Sequence, residues 1–137
     1  MAVGLLIITH DQIGETLVYT AQRMLGGLPM PTQTLPVQTD ADTERLSAQA
    51  QALVQQLNDG DGVIVLTDMY GSTPSNIAYG LMQQGSVHVI SGINLPMLIR
   101  TLNYATLGLE ALTEKAISGG KEGIFCCTTP TIQMPPC

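Results

Sequence analysis

The sequence predicts an α/β fold: a mainly parallel sheet with helices on both faces. Three observations lead there. Val3–Thr9, Gly62–Thr67 and Ser86–Ile90 are near-continuous apolar runs rich in Val and Ile, the mark of strands buried on both faces. Between them lie segments in which apolar residues recur at helical spacing. Strands that alternate with helices pair in parallel through right-handed crossovers.

The elements follow in order. After the first strand, Leu17, Val18, Ala21 and Leu25 share one helical face over Glu15–Leu25, and Gly26-Gly27 stops it. Gln33–Val37 reads as a weak strand, and Pro36 assigns it to a sheet edge because proline cannot donate to a ladder. Asp40 and Asp42 are N-cap candidates for a helix with Leu46, Ala50, Leu53, Val54 and Leu57 inward. Asn58–Gly62 is a turn cluster. After the strand Gly62–Thr67, Thr73 as N-cap with Pro74 behind it predicts a helix start, with the helix running to about Gln84. Beyond Ser86–Ile90, Pro96 opens a helix to about Tyr104, and another spans roughly Leu107–Ile117, broken by Gly119-Gly120. Gly123–Cys127 reads as a short final strand. The expected organisation is one domain over residues 1–127 and a tail over 128–137, where three of the eight prolines lie.

Composition narrows the function classes. Of 137 residues, 45% are apolar and 12% charged, against about 25% charged in a typical domain. Such a chain folds, and part of its surface is expected to be covered by another copy. Five Lys+Arg against eleven Asp+Glu give a net charge of −6, so no basic stripe exists for a nucleic acid. No Trp and a single Phe leave no base-stacking platform. No apolar run approaches the roughly 20 residues of a membrane span. Met1–Thr9 has no basic residue before it and ends in His10-Asp11 rather than a small-residue cleavage site, so it reads as a strand and not a signal peptide. Cys126, Cys127 and Cys137 are odd in number and lack metal-site spacing. A reducing cytoplasm fits them, and neither a metal nor a cofactor is expected.

In open parallel sheets, sites form at the carboxyl ends of the strands where the strand order reverses. Three loops converge there: Thr9-His10-Asp11, Asp68–Pro74 and Ser91–Pro96. With the first and third strands adjacent, His10 faces Asp68. A carboxylate that takes the Nδ1 proton fixes the imidazole tautomer and leaves Nε2 as a nucleophile. Gly71, Ser72 and Thr73 at a helix start add N–H groups and hydroxyls suited to phosphate. Together they point to phosphoryl transfer through a phosphohistidine. Each part also has a plainer reading. Asp68 and the Gly-Ser-Thr turn could be a helix cap, and Asp11 a cap of the first helix. His88, between Val87 and Val89 in a strand, reads as structural. Met24, Met30, Met69, Met82 and Met97 read as packing, with Met69 and Met97 near the pocket rim.

The motifs Ile-Ile-Thr-His10, Leu-Thr-Asp68-Met-Tyr-Gly-Ser-Thr-Pro-Ser-Asn76 and Ser-Gly-Ile-Asn-Leu-Pro-Met-Leu98 resemble those of the IIA component of the mannose family of the bacterial phosphoenolpyruvate-dependent sugar phosphotransferase system. The resemblance runs from Met1 to about Phe125. It implies that His10 accepts phosphate from the carrier protein HPr and passes it to a IIB component, with Asp68 as the orienting acid. It further implies a parallel sheet plus one antiparallel edge strand, matched by Gly123–Cys127, exchanged in a homodimer, with indirect association with membrane IIC and IID components. The family turn often reads Gly-Gly-Ser-Pro where this chain has Gly71-Ser72-Thr73-Pro74, and no IIB domain follows within these 137 residues. Two other readings use the same residues. In one, His10 phosphorylation is a regulatory signal without transport. In the other, Asp68 is the phosphoacceptor of a receiver-type domain, which needs an acidic pair after the first strand. Only Asp11 is acidic there.

Overall fold

Four parallel strands form the centre of the computed structural model, which describes residues 2–128. In chain order the elements are β1 (Gly4–His10), α1 (Ile13–Leu25), β2 (Thr32–Val37), α2 (Thr43–Leu57), β3 (Val63–Thr67), α3 (Thr73–Gly80), a 3₁₀ turn (Leu81–Gln84), β4 (Val87–Ser91), α4 (Leu95–Asn103) and α5 (Leu109–Glu122). The strand order is β2-β1-β3-β4. The chain therefore steps outward from β1 to β2, then crosses back to place β3 on the other side of β1. That reversal lies between β1 and β3, whose register runs Gly4↔Val63 to Ile8↔Thr67.

The two-residue period of the strands divides the core into two layers. Leu5, Ile7, Ile64, Leu66 and Ile90 face α1, α4 and α5, meeting Ala21, Leu98, Leu102 and Leu112. Leu6, Ile8, Val63, Val65 and Val87 face α2 and α3, meeting Ala50, Val54, Ile77 and Ala78. With both faces covered, nearly every position of β1 and β3 is apolar, which is why these segments read as unbroken apolar runs. Pro36 lies in edge strand β2, as its missing N–H requires. Asp42 caps α2, its carboxylate accepting from the N–H groups of Glu44 and Arg45.

Several expectations are corrected. The cap of α3 is Ser72, in extended backbone, and Thr73 is the first helical residue; Pro74 still falls where a helix N–H has no partner. Beyond Gly80, α3 tightens into the 3₁₀ turn rather than continuing as an α-helix to Gln84. Met24, Met69 and Met82 are exposed, so of the five methionines assigned to packing only Met30 and Met97 belong to the core. Gly119-Gly120 does not break the last helix, because these glycines let α5 lie against α4. A Cβ on Gly119 would stand 2.6 Å from Arg100 Cβ, and one on Gly120 2.7 Å from Met97 Cε. Asn94 Nδ2 donates to Gly120 O at 3.2 Å, and the Arg100 guanidinium donates to Ser118 Oγ and Glu122 across the same seam. Gly123 then caps α5, and 124–128 pair with no strand of this chain. Cys126 and Cys127 are free and exposed; Cys137 and the rest of the tail from 129 lie outside the described residues.

The helix seam makes a prediction opposite to helix propensity. Gly→Ala in a helix ordinarily gains about 0.5–1 kcal/mol. Gly119→Ala is expected instead to lose about 1–3 kcal/mol through overpacking, while Gly80→Ala, with open space around it, gains. Chemical denaturation of both variants checks this. A stabilised Gly119→Ala would show that the α4–α5 spacing is not set by these glycines.

Candidate active site

β1 ends at His10, and Asp68 follows β3 by one residue, so the β1–β3 register alone brings the two together. Asp68 Oδ2 lies 2.8 Å from His10 Nδ1 and also accepts from the His10 backbone N–H at 2.8 Å. Its other oxygen, Oδ1, accepts from the Met69 N–H at 2.8 Å. The carboxylate is thus held on both oxygens. The Asp68 side chain is 13% exposed and the His10 ring 44%. An ionised carboxylate only accepts, so the ring donates from Nδ1 and Nε2 carries the lone pair.

Other hydrogen bonds fix the frame around this pair. Thr9 Oγ1, buried below His10, accepts from the Gly14 N–H at 2.8 Å and so satisfies a donor at the start of α1. Asp11, in the left-handed region at φ 45°, donates its N–H to Val37 O and turns the chain away after His10. It does not cap α1, whose N-cap is Gln12. From the third loop, the Gly92 N–H reaches both Thr67 O (3.0 Å) and Asp68 O (2.9 Å). His88 is remote from this cluster. Its Nδ1 contacts Thr113 Oγ1 at 2.9 Å, a structural bond between β4 and α5.

The turn from Gly71 to Thr73 makes no hydrogen bond to His10 or Asp68. The Ser72 hydroxyl donates to Met69 O at 2.6 Å, and the Ser72 N–H goes to the same oxygen at 3.2 Å. No described residue accepts from the N–H of Gly71 or Thr73, or from the Thr73 hydroxyl, which leaves these three donors available to an anion. Gly71 sits at φ 85°, a conformation that L side chains rarely adopt. Ser72 sits at φ −88°, so the backbone at that position makes no demand for glycine. The five cations, Arg23, Arg45, Arg100, Lys115 and Lys121, all lie outside the three loops. Among the described residues no group of three or more His, Cys, Asp or Glu could hold a metal ion. Among the described residues one buried polar atom, Thr67 Oγ1, has no partner. Sequence reading had no means of finding the clamp from Gly92 or the Tyr79–Ser91 contact described below, because each joins residues through the fold.

Comparison with known proteins identifies the family. The family model described as "PTS system fructose IIA component" matches residues 4–117. The chain belongs to this IIA family of the sugar phosphotransferase system. The mannose-specific EIIAB component of Escherichia coli K12 is 28% identical over 127 residues, covering 90% of this chain and 39% of that protein. The chain thus spans about two-fifths of the length of the curated relatives it matches. Among solved structures, the mannose/sorbose-specific IIA subunit from Enterococcus faecalis superposes with a TM-score of 0.83 at 21% identity, covering 97% of this chain and all of that one. A putative phosphotransferase-system permease from Klebsiella pneumoniae gives 0.78 at 28% identity, covering 93% and 92%. Within this IIA-family chain, the match includes the ends of β1 and β3 and the loop carrying Gly92. As a member of the family the chain is a phosphotransferase-system component, and no helix among the described residues is long and apolar enough to cross a membrane.

The hydrogen bonds to Asp68 also set a pH dependence. Burial raises the pKa of the carboxyl group, but the His10 N–H, the His10 ring, the Met69 N–H and the charge on His10 together outweigh it and hold Asp68 below the ordinary carboxylate value. A depressed pKa contributes stability above the unfolded-state value, and that contribution is lost as pH falls through the folded-state value, here below about pH 4. Asp68→Asn is therefore expected to lose less stability than wild type between about pH 5 and pH 2, measured by urea unfolding at each pH. Identical acid limbs would mean that the carboxylate is not held by these donors.

Proposed function

We propose that this chain is a phosphoryl carrier that accepts phosphate from phospho-HPr on His10 and passes it to a IIB component during sugar uptake. The observation that carries the proposal is the 2.8 Å contact from Asp68 Oδ2 to His10 Nδ1. In the first step the Nε2 lone pair attacks the phosphorus of phospho-HPr. The new Nε2–P bond forms as the P–N bond to the donor imidazole breaks, and the donor leaves with its electron pair. The phosphorylated ring, protonated at Nδ1, carries positive charge beside an anionic carboxylate, which stabilises it. In the second step a nucleophile of IIB attacks the same phosphorus and the Nε2–P bond breaks. Asp68 remains ionised throughout, and no proton leaves Nδ1.

Gly71, Ser72 and Thr73 are the proposed phosphate-binding residues. The Gly71 and Thr73 N–H groups and the Thr73 hydroxyl are the available donors, and Ser72 contributes its hydroxyl only after releasing Met69 O. With no Lys or Arg in the three loops, only dipoles besides the His10 ring hold the phosphoryl oxygens, as suits a carrier that must give the group up. The proposal extends to one IIA domain over residues 1–127 with a tail over 128–137, working in the cytoplasm without cofactor. It further includes a homodimer that exchanges Gly123–Cys127 and an indirect association with IIC and IID. The free edge of β4 and the exposed side chains of Ile124 and Phe125 support the exchange.

The test is incubation of the full chain with phosphoenolpyruvate, enzyme I and HPr. The expected product is an acid-labile, base-stable label on His10, on a protein that sediments as a dimer. His10→Ala is expected to fold and take no label. Asp68→Asn is expected to transfer about 10- to 150-fold more slowly, the value of one charge-assisted hydrogen bond felt in the transition state. A label on Asp68 or His88 overturns the proposal.

A further inference from the structure

We propose that Tyr79 and Ser91 are positioning residues for the His10–Asp68 pair, a reading that rests on the phosphoryl-carrier function above. Tyr79 lies in α3, and its hydroxyl oxygen stands 2.9 Å from Ser91 Oγ at the end of β4. Among the described residues this is the only side-chain hydrogen bond between α3 and β4. Ser91 is in register with Thr67, whose buried hydroxyl has no partner, so Ser91 finds its bond in Tyr79 and not across the sheet.

The residue after Ser91 is Gly92, and its N–H is shared by Thr67 O and Asp68 O at 3.0 and 2.9 Å; the Ile93 N–H adds a bond to Thr67 O at 3.1 Å. The end of β4 therefore clamps the backbone that carries the Asp68 carboxylate. Tyr79 also bears on the loop that follows Asp68. Its ring meets the ring of Tyr70, two residues beyond Asp68, edge-on, with centroids 5.7 Å apart and planes at 64°. One side chain thus bears on the strand end before the carboxylate's clamp and on the loop that follows the carboxylate. Asp68 Oδ2 serves two donors on His10 at 2.8 Å each, and hydrogen bonds weaken steeply with misalignment. A small displacement of the Asp68 backbone therefore loosens the ring before it disturbs the core.

Tyr79→Phe, Ser91→Ala, the double variant and the conservative Ser91→Thr separate positioning from packing. The readout is the ratio of the two neutral His10 tautomers, taken from two-bond ¹H–¹⁵N NMR at alkaline pH on full-length protein below its unfolding transition. Wild type is expected to be predominantly Nδ1–H. Tyr79→Phe and Ser91→Ala are each expected to shift the ratio towards Nε2–H and to slow phosphoryl acceptance from phospho-HPr about three- to tenfold, the range of one neutral hydrogen bond. The double variant is expected to be no worse than either single, since both remove the same bond, and Ser91→Thr to keep the wild-type ratio. A wild-type ratio in both folded single variants overturns the positioning role. A wild-type chain that takes no label from phospho-HPr overturns the carrier reading instead, and the tautomer ratios distinguish the two failures.

Discussion

One carboxylate oxygen, Asp68 Oδ2, accepts from both the backbone and the ring of the same histidine. The backbone bond fixes how far β1 can slide against β3, and the ring bond fixes which nitrogen of the imidazole is free. The two demands are met together only if His10 ends its strand and Asp68 lies one residue beyond its own. A register slip of a single residue would turn every side chain of β1 to the opposite face and remove the pair at once. The apolar layers on both sides of β1 and β3 make such a slip prohibitive, so the core that stabilises the fold also sets the chemistry.

Around that pair, rigidity is graded. The carboxylate has three donors and the carbonyl of Asp68 a fourth, whereas Gly71 and Thr73 keep unengaged donors at an exposed turn. Met69 and Tyr70, which flank that turn, are 62% and 76% exposed. On the proposed reading, the nucleophile is preorganised and the phosphate cradle is left open to solvent and to whatever docks. For a carrier this division is sensible: orienting the imidazole lowers the barrier in both directions, while a tighter cradle would bind the phosphorylated state and slow its release.

Much of this was legible in the sequence, and the reasons are physical. Strands buried on both faces cannot hide their composition, and a crossover rule then leaves few topologies. Hence the β1–β3 switch point, and with it His10 beside Asp68, followed from pattern alone. Helix ends were harder. Ser72 and Thr73 are both good caps, and only the backbone angles decide between them. Gly119-Gly120 has the composition of a stop but serves as a close-packing surface, which needs knowledge of what lies opposite. The same holds for the Ser72 hydroxyl, which bonds its own loop, and for Tyr79, whose partner Ser91 is twelve residues away on another element. Residues 124–128 have strand composition, yet a lone segment makes no strand without an edge to pair with.

The central claim is that Asp68 determines which nitrogen of His10 reacts. It is tested most directly by phosphorylating the ¹⁵N-histidine-labelled chain and reading the ³¹P–¹⁵N coupling in the intact protein. Phosphorus bonded to Nε2, with Nδ1 still protonated against Asp68, is the predicted result. Phosphorus on Nδ1 would contradict the account, because that nitrogen cannot both carry phosphate and donate to the carboxylate.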